Sequence, residues 1–409
     1  MKYLFIHQNA PGQYLHAIQR LTQDHHNEVA TISLANTITV PGTRKAVYAF
    51  PPRRVAGVHA HAQEFDVAVA RAETVATTCA ELNRLGFQPD IILGHSGWGE
   101  LLNVKDVWPD APVAGYYEFY YRTAGADVGF DPEFPLAPAN RARVRAKNAV
   151  NLLSLQVTDT GQTPTPWQRS TYPAWARGKL RLVPEGVDLD ACSPDPAARL
   201  QPLTIGKIPP IPPGVPLLTY VARNLEPYRG FHVLMRALPR LLATRPDLRV
   251  MIVGADGVSY GSALRNGTSY RQALLQELGS AIDPDRVHFA GRIPYAQHLA
   301  VLRRSDVHVY LTYPFVASWS LREAIACGCR IVASDTTPVR DFLVDRGTAL
   351  LTPFLDSHAL ADRVLEVLED RKLGDRLATA ARRMAMRRLG LDRHHAAFDA
   401  LVDATTGRR

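Results

Sequence analysis

Short apolar runs alternate with longer amphipathic stretches along the first half of the chain. The runs are rich in β-branched residues, and most end in glycine or a polar turn, as the strands of a buried parallel sheet do. Between them, apolar positions recur at helical spacing. We predict strands at 1–6, 28–33, 89–94, 111–115, 150–157 and 180–183, and helices at 13–21 and 64–85. This alternation predicts a doubly wound parallel sheet.

A segment dense in proline and glycine, 205–214, interrupts this pattern. Such a composition cannot continue a helix or a central strand. We therefore interpret it as a linker between a domain of residues 1–204 and a second domain of residues 215–388.

The second half of the chain restarts the same rhythm. We predict strands at 216–222, 249–253, 287–290, 307–311 and 330–334, and a helix at 230–242. The last segment, 389–409, contains a helix at 391–404, which we expect to cross back onto the first domain. The predicted fold class is α/β, with two Rossmann-like doubly wound domains that face a cleft at the carboxyl ends of their strands.

Composition restricts the class of protein. At 409 residues the chain exceeds one ordinary core, and 46% hydrophobic with 21% charged residues is typical of a globular protein. No segment reaches the roughly 18 to 20 apolar residues of a membrane span, and the run 1–6 is too short for a signal peptide. The cysteines follow no disulfide or zinc spacing: Cys79, Cys192, Cys327 and Cys329. We therefore expect a cytoplasmic protein without a metal site.

The net charge of +8 favours anionic partners. No nucleic-acid motif accompanies it, so we expect anionic small molecules and no nucleic acid. The densest basic group has helical spacing: Arg382, Arg383, Arg387 and Arg388. We interpret it as a solvated face and keep membrane-surface contact as the less favoured alternative. The sequence does not indicate the oligomeric state.

The segment 306–335 carries the strongest chemical signal. A β-rich run ends at Pro314, Ser318 or Ser320 can cap a helix, Gly328 ends that helix, and another strand follows. The helix therefore begins at the carboxyl edge of a parallel sheet, where its free N–H groups and dipole favour an anion.

The same segment offers contacts for both halves of a nucleotide. The first N–H groups of the helix, around Ser318, Trp319 and Ser320, would meet a diphosphate. Glu323 lies one turn into the helix, where its carboxylate can accept hydrogen bonds from two ribose hydroxyls. The segment predicts a site for a nucleoside diphosphate.

Two arginines follow the first strand of the second domain. Arg223 leaves the strand end, and Arg229 precedes Gly230 and a helix start. Two guanidinium groups there can clamp a diphosphate, since each charge-assisted hydrogen bond contributes about 1.5–3 kcal/mol. The alternative is that Arg229 only neutralises Glu226 on a surface loop.

Another strand of the second domain ends at Gly291, which lets a flat base approach the main chain. The backbone of Arg292 and Ile293 would then meet the edge of the base, and Tyr295 would flank it. A plain turn between strand and helix is the alternative interpretation.

Candidate residues of the first domain also follow strands. Gly12 lies at a helix start and His95 at a strand end between polar and glycine residues. The segment 116–134, from Tyr116 to Phe134, is rich in acids and aromatics and suits an organic acceptor with hydroxyl or amine groups. The alternatives are a structural histidine and aromatic packing between the domains.

Together these residues resemble the retaining glycosyltransferases of family 4, which have the GT-B architecture, over nearly the whole chain. The segment 183–188 resembles the end of the family's N-terminal domain, and 318–328 its nucleotide-sugar signature. Arg223 and Arg229 resemble its phosphate-binding arginine and lysine.

Two further residues match the family, and three depart from it. Glu323 matches the second of the family's paired glutamates, and His95 the histidine near the donor sugar. Phe315 stands at the first glutamate, Ser318 at a glycine and Ser320 at a proline. Because phenylalanine carries no charge, sugar recognition must differ at Phe315.

The resemblance implies metal-independent transfer of a hexosyl-type sugar, with retention, from a nucleoside-diphosphate sugar such as a UDP or GDP sugar. The acceptor would be a small molecule or glycan, with no tightly bound cofactor, and the departures hint at bacterial secondary metabolism. Arg223, Arg229 and the helix N–H groups would stabilise the leaving diphosphate, and His95 would position the sugar. Asp188 and Asp190 form an Asp-x-Asp pair, which we interpret as part of a domain-end loop and not as a cation site.

Two alternatives stay open. A sugar-nucleotide epimerase would use a similar two-domain fold but need no acceptor. A non-catalytic sugar-nucleotide or glycan-binding protein is suggested by Phe315. A dinucleotide oxidoreductase fits worst, since no Gly-x-Gly-x-x-Gly turn follows a strand.

Overall fold

The computed structural model describes residues 1–50 and 57–408. The chain forms two compact units. The first comprises Met1–Gly186 together with the chain from Leu391 onward, and the second comprises Val187–Gly390.

The first unit is built on a parallel sheet. Its described strands are β1 (Lys2–Ile6), β2 (Glu28–Ser33), β3 (Thr43–Val47), β4 (Ile91–His95), β5 (Val113–Tyr116), β6 (Thr160–Thr163) and β7 (Leu180–Leu182). They lie in the order β3-β2-β1-β4-β5-β6-β7, and every neighbouring pair is parallel. The order changes direction between β1 and β4, which makes the sheet doubly wound.

Helices cover this sheet with apolar faces. Those before the domain boundary are α1 (Leu15–Leu21), α2 (Gln63–Arg84), α3 (Val104–Val107), α4 (Arg141–Ala146), α5 (Ala149–Val157), α6 (Pro166–Thr171) and α7 (Ala174–Arg177). In the longest of them, α2, the buried positions Ala68, Ala72, Val75, Cys79 and Leu82 recur every three or four residues and form one face.

The second unit repeats the design with a smaller parallel sheet. Its strands are β8 (Leu217–Asn224), β9 (Arg249–Ala255), β10 (Val287–Gly291), β11 (Val307–Tyr310), β12 (Ile331–Ser334) and β13 (Leu350–Thr352). They lie in the order β10-β9-β8-β11-β12-β13. The direction changes between β8 and β11, so the carboxyl ends of these two strands flank the position where open α/β sheets bind ligands. The two doubly wound parallel sheets confirm the predicted fold class.

Seven helices of the described chain belong to the second unit. They are α8 (Phe231–Thr244), α9 (Tyr270–Leu278), α10 (Tyr295–Arg304), α11 (Trp319–Ala326), α12 (Thr337–Arg340), α13 (Ser357–Glu369) and α14 (Arg371–Arg388). No helix in the described ranges is both long enough and apolar enough for a bilayer crossing.

The last helix, α15 (Leu391–Thr406), belongs to the first unit although it follows the second in sequence. Its buried residues Phe398, Leu401 and Val402 join the core cluster that contains Phe5 of β1. The rings of Phe398 and Phe5 stack with centroids 6.4 Å apart.

One predicted strand is wrong. Residues 150–157 form most of helix α5 and not a strand. Their buried positions Val150, Asn151, Ser154 and Leu155 follow helical spacing, and the neighbouring strand is β6. The sequence patterns also missed β6 and the edge strands β3 and β13.

The segment 205–214 lies inside the second unit, and the units divide at Gly186 and Val187. Ile205 and Ile211 are each 2% exposed and pack in a cluster with Leu217 of β8. Prolines and glycines turn the segment so that these isoleucines face the core. The boundary predicted from composition is therefore displaced from the division in the structure.

The basic group of α14 is not uniformly solvated. Arg383, Arg387 and Arg388 are exposed. Arg382 is half-buried and donates hydrogen bonds to the main-chain oxygens of Leu189, Cys192 and Ala326. This arginine holds the start of the second unit against α11 and α14.

His7 follows β1 at the switch point of the first sheet, and it is buried. Its Nε2 lies 2.6 Å from Oε1 of Gln13, and its Nδ1 accepts from the amide of Asn9 at 3.0 Å. The ring lies against Gly12, where a Cβ atom would approach it to 2.4 Å, and Gly12 has a φ of +49°. Burial and the neighbouring His95 lower the pKa of His7 to about 3.

The pKa of His7 predicts an acid-sensitive first unit. The unfolded chain binds a proton near pH 6.5, whereas the folded ring resists protonation down to about pH 3, so stability falls as pH falls through this window. We expect the wild type to lose about 1.4 kcal/mol per pH unit more than His7→Gln. Urea unfolding between pH 6.5 and 4.5, followed by tryptophan fluorescence, checks this.

Four of the five tryptophans lie in the first unit, so the fluorescence signal reports mainly on it. His26→Gln is the matched control, because the His26 side chain is 95% exposed. Identical pH dependence of the wild type and His7→Gln would contradict the assignment.

Candidate functional site

The switch point of the second unit is organised by Arg229. This residue ends a 3₁₀ turn, Pro227–Arg229, after β8. Its Nη1 donates to Oγ1 of Thr312 and to the main-chain oxygen of Val316, both at 2.8 Å. Thr312 and Val316 follow β11, so the guanidinium joins the two chain segments that flank the switch point.

Gly230 makes this arrangement sterically possible. It has a φ of +67°, and a Cβ atom there would lie 2.4 Å from Cβ of Leu311. A side chain would therefore push the Arg229 turn away from the end of β11.

The charge of Arg229 is held among aromatic rings. The residue is 6% exposed, and its guanidinium lies 5.0 Å from the ring centre of Tyr260. Burial acts to lower the pKa of Arg229, but the phenol oxygens of Tyr310, Tyr260 and Tyr220 outweigh it and raise the pKa. The described residues place no carboxylate in an ion pair with Arg229, so its positive charge is not neutralised by a side chain.

Glu226 is anchored elsewhere. Its carboxylate accepts hydrogen bonds from the amides of Ser259, Tyr260 and Gly261 at 3.0, 3.1 and 3.0 Å. Glu226 is fully buried. The alternative in which Arg229 serves only to neutralise Glu226 is therefore wrong, and the carboxylate instead holds the loop that carries Tyr260.

Helix α11 begins beside Arg229. Ser318 is its N-cap residue, and the Ser318 side chain makes no capping hydrogen bond. The amide of Ser318 donates to the phenol oxygen of Tyr310 at 2.8 Å, and the hydroxyls of Ser318 and Ser320 lie 2.7 Å apart. The first-turn amides of Trp319 and Ser320 thus point from an uncapped helix end, which is a favourable place for an anion.

Glu323 lies on the same helix, half-buried. Its Oε2 is 2.8 Å from Nε2 of His298, on α10. The phenol of Tyr295, at the start of α10, contacts Glu323 and lies 3.3 Å from Sγ of Cys192. Burial, the Cys192 contact and the charge of Glu323 raise the pKa of Tyr295, so this phenol stays protonated.

The turn predicted to meet a base precedes this cluster. Gly291 ends β10 with a φ of +64°, and, its chain neighbours aside, no described residue lies within 4 Å of the position of a Cβ atom there. Arg292 is exposed, whereas Ile293 packs its side chain on the core cluster of Leu217. The backbone of this turn is therefore open to a flat group.

Arg223 is not part of the Arg229 cluster. It lies near the end of β8 and is exposed. Within the described ranges its side chain makes no hydrogen bond or ion pair, so the structure does not fix its guanidinium at the helix end.

Phe315 lies in an aromatic group next to Arg229. Its ring centre is 5.0 Å from that of Tyr260 and 5.7 Å from that of Tyr228. Phe315 is 4% exposed. Where the resemblance expects a carboxylate, the second unit has a buried ring packed on two tyrosines.

His95 ends β4 at the switch point of the first unit. It is 2% exposed and stacks on Trp98 with ring centres 3.7 Å apart. Its Nδ1 accepts from the amide of Gly97 at 3.0 Å, so Nε2 carries the hydrogen. In the described part of the chain this Nε2 has no hydrogen-bond partner, and the nearest carboxylate oxygen, on Glu118, is 3.6 Å away.

The candidate acceptor segment begins in the core of the first unit. Tyr116 donates to Oε1 of Glu185 at 2.6 Å, and the hydroxyls of Tyr117 and Thr158 lie 2.7 Å apart. These two tyrosines therefore have structural partners. The Tyr116 ring also stacks on the His95 ring with centres 5.4 Å apart, and the Glu118 carboxylate lies 3.6 Å from Nε2 of His95.

The Asp-x-Asp pair forms a turn. Oδ1 of Asp188 accepts from the amides of Asp190 and Ala191 at 3.0 and 2.9 Å. The carboxylate thus has a local structural role, in agreement with a loop.

Sequence reasoning missed four residues that shape the site: Glu226, Tyr260, His298 and Tyr310. Two of them had a signal in the sequence. His298 lies three residues after Tyr295, which is helical spacing, and Tyr310 lies near the end of a predicted strand. The partners of Glu226 lie more than thirty residues away in sequence, and no local pattern indicates them.

The Glu226 anchor generates a testable expectation. Glu226→Ala leaves three amides without their acceptor, and each hydrogen bond to a charged group contributes about 1.5–3 kcal/mol. We expect hydrogen exchange of the amides at 259–261 to accelerate by about tenfold or more. Mass spectrometry of the exchanged protein measures it.

Asp247→Ala is the matched control for this experiment. Asp247 pairs with Arg245 in the same unit, and its side chain is 53% exposed. Unchanged exchange at 259–261 in Glu226→Ala would show that the carboxylate does not hold the loop.

Two protein-family models match this chain. The model for the glycosyl transferase family 4 group matches residues 23–192, and that for glycosyl transferases group 1 matches residues 204–384. Together the matches fall in both structural units.

Curated relatives match over part of their length. A phosphatidyl-myo-inositol mannosyltransferase of Mycobacterium leprae is 29% identical over 202 residues, which are 48% of this chain and 46% of that protein. A D-inositol 3-phosphate glycosyltransferase of Streptomyces avermitilis is 29% identical over 210 residues, 51% of this chain and 43% of the relative. The chain thus spans about half the length of the curated relatives it matches.

Solved structures match over the whole chain. The HepE protein of Anabaena in complex with UDP and glucose has a TM-score of 0.69 at 16% identity, covering 99% of this chain and 100% of its own. The sucrose-phosphate synthase of Thermosynechococcus elongatus has a TM-score of 0.73 at 19% identity, with both chains covered completely. At these identities the likeness shows the fold, and with the two matched family models it identifies the chain as a member of the family 4, group 1 glycosyltransferases with the GT-B fold.

Proposed function

We propose that the protein transfers a sugar from a nucleoside-diphosphate sugar to an acceptor. The observation that carries this proposal is the position of Arg229, which bonds to the segment leading into the uncapped start of α11. A buried guanidinium without a carboxylate partner and a helix end with free amides both favour a diphosphate.

The reaction follows from this charge distribution. The bond between the anomeric carbon and the diphosphate oxygen breaks, and the nucleophilic oxygen or nitrogen of the acceptor forms a new bond to the same carbon. Negative charge grows on the departing diphosphate, where Arg229 and the amides of α11 stabilise it. The products are a nucleoside diphosphate and a glycoside, and the acceptor proton passes to the leaving phosphate.

Retention and metal independence are the finer parts of the proposal. With retention, the acceptor attacks the face from which the diphosphate departs, so a phosphate oxygen can take its proton without a separate base. The guanidinium and helix end supply positive charge in the role that a metal ion has elsewhere. We assign His95 a hydrogen bond from Nε2 to the transferred sugar, supported by the unpartnered, buried state of this nitrogen in the described chain.

The donor and acceptor are proposed by class. HepE was solved with UDP, and its complex with UDP-glucose is also known, which supports a UDP sugar as one donor to test beside GDP sugars. We propose a hydroxyl- or amine-bearing acceptor near the segment 116–134, in which the Glu118 carboxylate lies 3.6 Å from Nε2 of His95. The free, buried cysteines suit a reducing, cytoplasmic compartment.

A second candidate function is sugar-nucleotide binding without transfer. The observation that favours it is Phe315, which places a buried aromatic ring where the resemblance expects a glutamate.

A donor screen tests the proposal. Thermal unfolding is measured with UDP, GDP, ADP and TDP, and a nucleotide at 100 times its dissociation constant should add about 2.7 kcal/mol of stability. The corresponding sugar nucleotides are then incubated with polyol and amine acceptors, and product NMR determines the anomeric configuration. A retained configuration with nucleotide release supports the proposal.

Each contrary result has its own meaning. Binding without transfer or hydrolysis would support the non-catalytic function, and a changed sugar nucleotide without acceptor would indicate an epimerase. Stabilisation by none of the four nucleotides would contradict the diphosphate site itself.

Arg229→Ala tests the central residue. Loss of the guanidinium removes charge stabilisation that grows in the transition state, so we expect kcat/KM to fall by about 100-fold or more. Arg229→Lys keeps a point charge without the two-pronged geometry, and we expect an intermediate rate.

Arg245→Ala is the matched control, since Arg245 pairs with the exposed Asp247 away from α11. Circular dichroism establishes that each variant is folded. Wild-type turnover in folded Arg229→Ala would refute the role of Arg229.

A further inference from the structure

His298 is a buried histidine that the proposed transfer does not use. It lies three residues after Tyr295 on α10, so both side chains share one helix face. Its Nε2 is 2.8 Å from Oε2 of Glu323, and the two side chains are 11% and 15% exposed.

The direction of this hydrogen bond follows from its partners. An ionised carboxylate only accepts, so Nε2 of His298 carries the hydrogen and donates it. Tyr295 contacts the same carboxylate, and its phenol stays protonated. Two side chains of α10 thus contact the Glu323 carboxylate.

A free glutamate carboxylate rotates readily about its last torsion. Recognition of two adjacent hydroxyls needs both oxygens in one fixed plane, and a fixed plane lowers the entropy lost on binding. A donor bound to Oε2 at 2.8 Å supplies that constraint.

We infer that His298 is a positioning residue that orients the Glu323 carboxylate for the ribose hydroxyls of the nucleotide. The inference rests on the proposed function, because it requires a nucleoside diphosphate at α11. His298 does not touch the reacting atoms, and its effect passes through Glu323.

The structural alternative is that the His298–Glu323 pair only stabilises the packing of α10 against α11. Such a role would change the affinity for every nucleotide by the same factor. Orientation of Glu323 would instead change the preference for ribose over deoxyribose, which makes this preference the decisive measurement.

The experiment uses the full chain and isothermal titration calorimetry. Affinities for UDP and GDP are compared with those for 2′-deoxy-UDP and 2′-deoxy-GDP. We expect the wild type to prefer the tighter-binding ribonucleotide over its deoxy form by about tenfold, since one hydrogen bond to a charged group is lost. In His298→Leu we expect this preference to fall below about threefold.

His298→Gln is the conservative variant, because a glutamine amide can donate to Oε2, and it should restore most of the preference. In a Glu323→Ala background, His298→Leu should have no further effect on the preference. His288→Leu is the matched control, since His288 is a half-buried histidine of β10 in the same unit and should leave the preference unchanged.

Several outcomes overturn the inference. If His298→Leu loses affinity equally for the ribonucleotide and its deoxy form, the His298–Glu323 pair has only a structural role. If both affinities and the ribose preference stay unchanged in His298→Leu, His298 has no role in nucleotide binding. Equal binding of both sugars by the wild type excludes the Glu323–ribose contact. If the wild type binds neither UDP nor GDP, and neither deoxy form, the result contradicts the proposed function as well as the inference.

Folding of the variants is checked by circular dichroism. Should His298→Leu not fold, His298→Asn takes its place, because the shorter amide stays polar but cannot span the distance to Oε2. A folded His298→Asn that keeps the full ribose preference would overturn the inference.

Discussion

The second unit depends on one buried cation that ties two chain segments together. Arg229 follows β8, and its hydrogen bonds reach Thr312 and Val316 after β11. These segments flank the point where the strand order reverses, which is where open α/β sheets bind ligands. The guanidinium links the two segments at this point. The main-chain amide of Tyr313 also donates to the oxygen of Tyr228 between the same segments, so loss of the guanidinium would weaken this attachment.

The surroundings of this cation keep its charge available. Glu226 is three residues away, yet its carboxylate is satisfied by the amides of Ser259, Tyr260 and Gly261. The guanidinium lies over the ring of Tyr260, and a ring face stabilises a cation without cancelling its charge. A buried positive charge with no anionic partner among the described residues is costly unless a ligand supplies the anion, which connects the packing of the second unit to the proposed donor.

Local sequence patterns predicted most of the strands and the start of α11, because strand runs, a serine at the N-cap position and a terminal glycine are encoded within a few residues. The Ser318 side chain nevertheless makes no capping hydrogen bond. The patterns failed at 150–157, where apolar residues are dense enough to resemble a strand but the buried positions have helical spacing. They also missed the edge strands β3 and β13, and β3 has no fully buried residue. The pairing of His298 with Glu323 joins two helices, and the anchoring of Tyr260 by Glu226 joins two loops, so neither follows from neighbours in the chain.

The order of the two units along the chain has a consequence for biosynthesis. Residues 187–390 are inserted within the first unit, whose core is completed by Phe398, Leu401 and Val402 of α15. During translation the seven strands of the first sheet are synthesised long before α15. One apolar face of this sheet therefore stays exposed to solvent while the second unit is synthesised. The second unit can meanwhile fold through its own contacts. The nascent first unit is therefore the stage at which this protein most needs protection from aggregation.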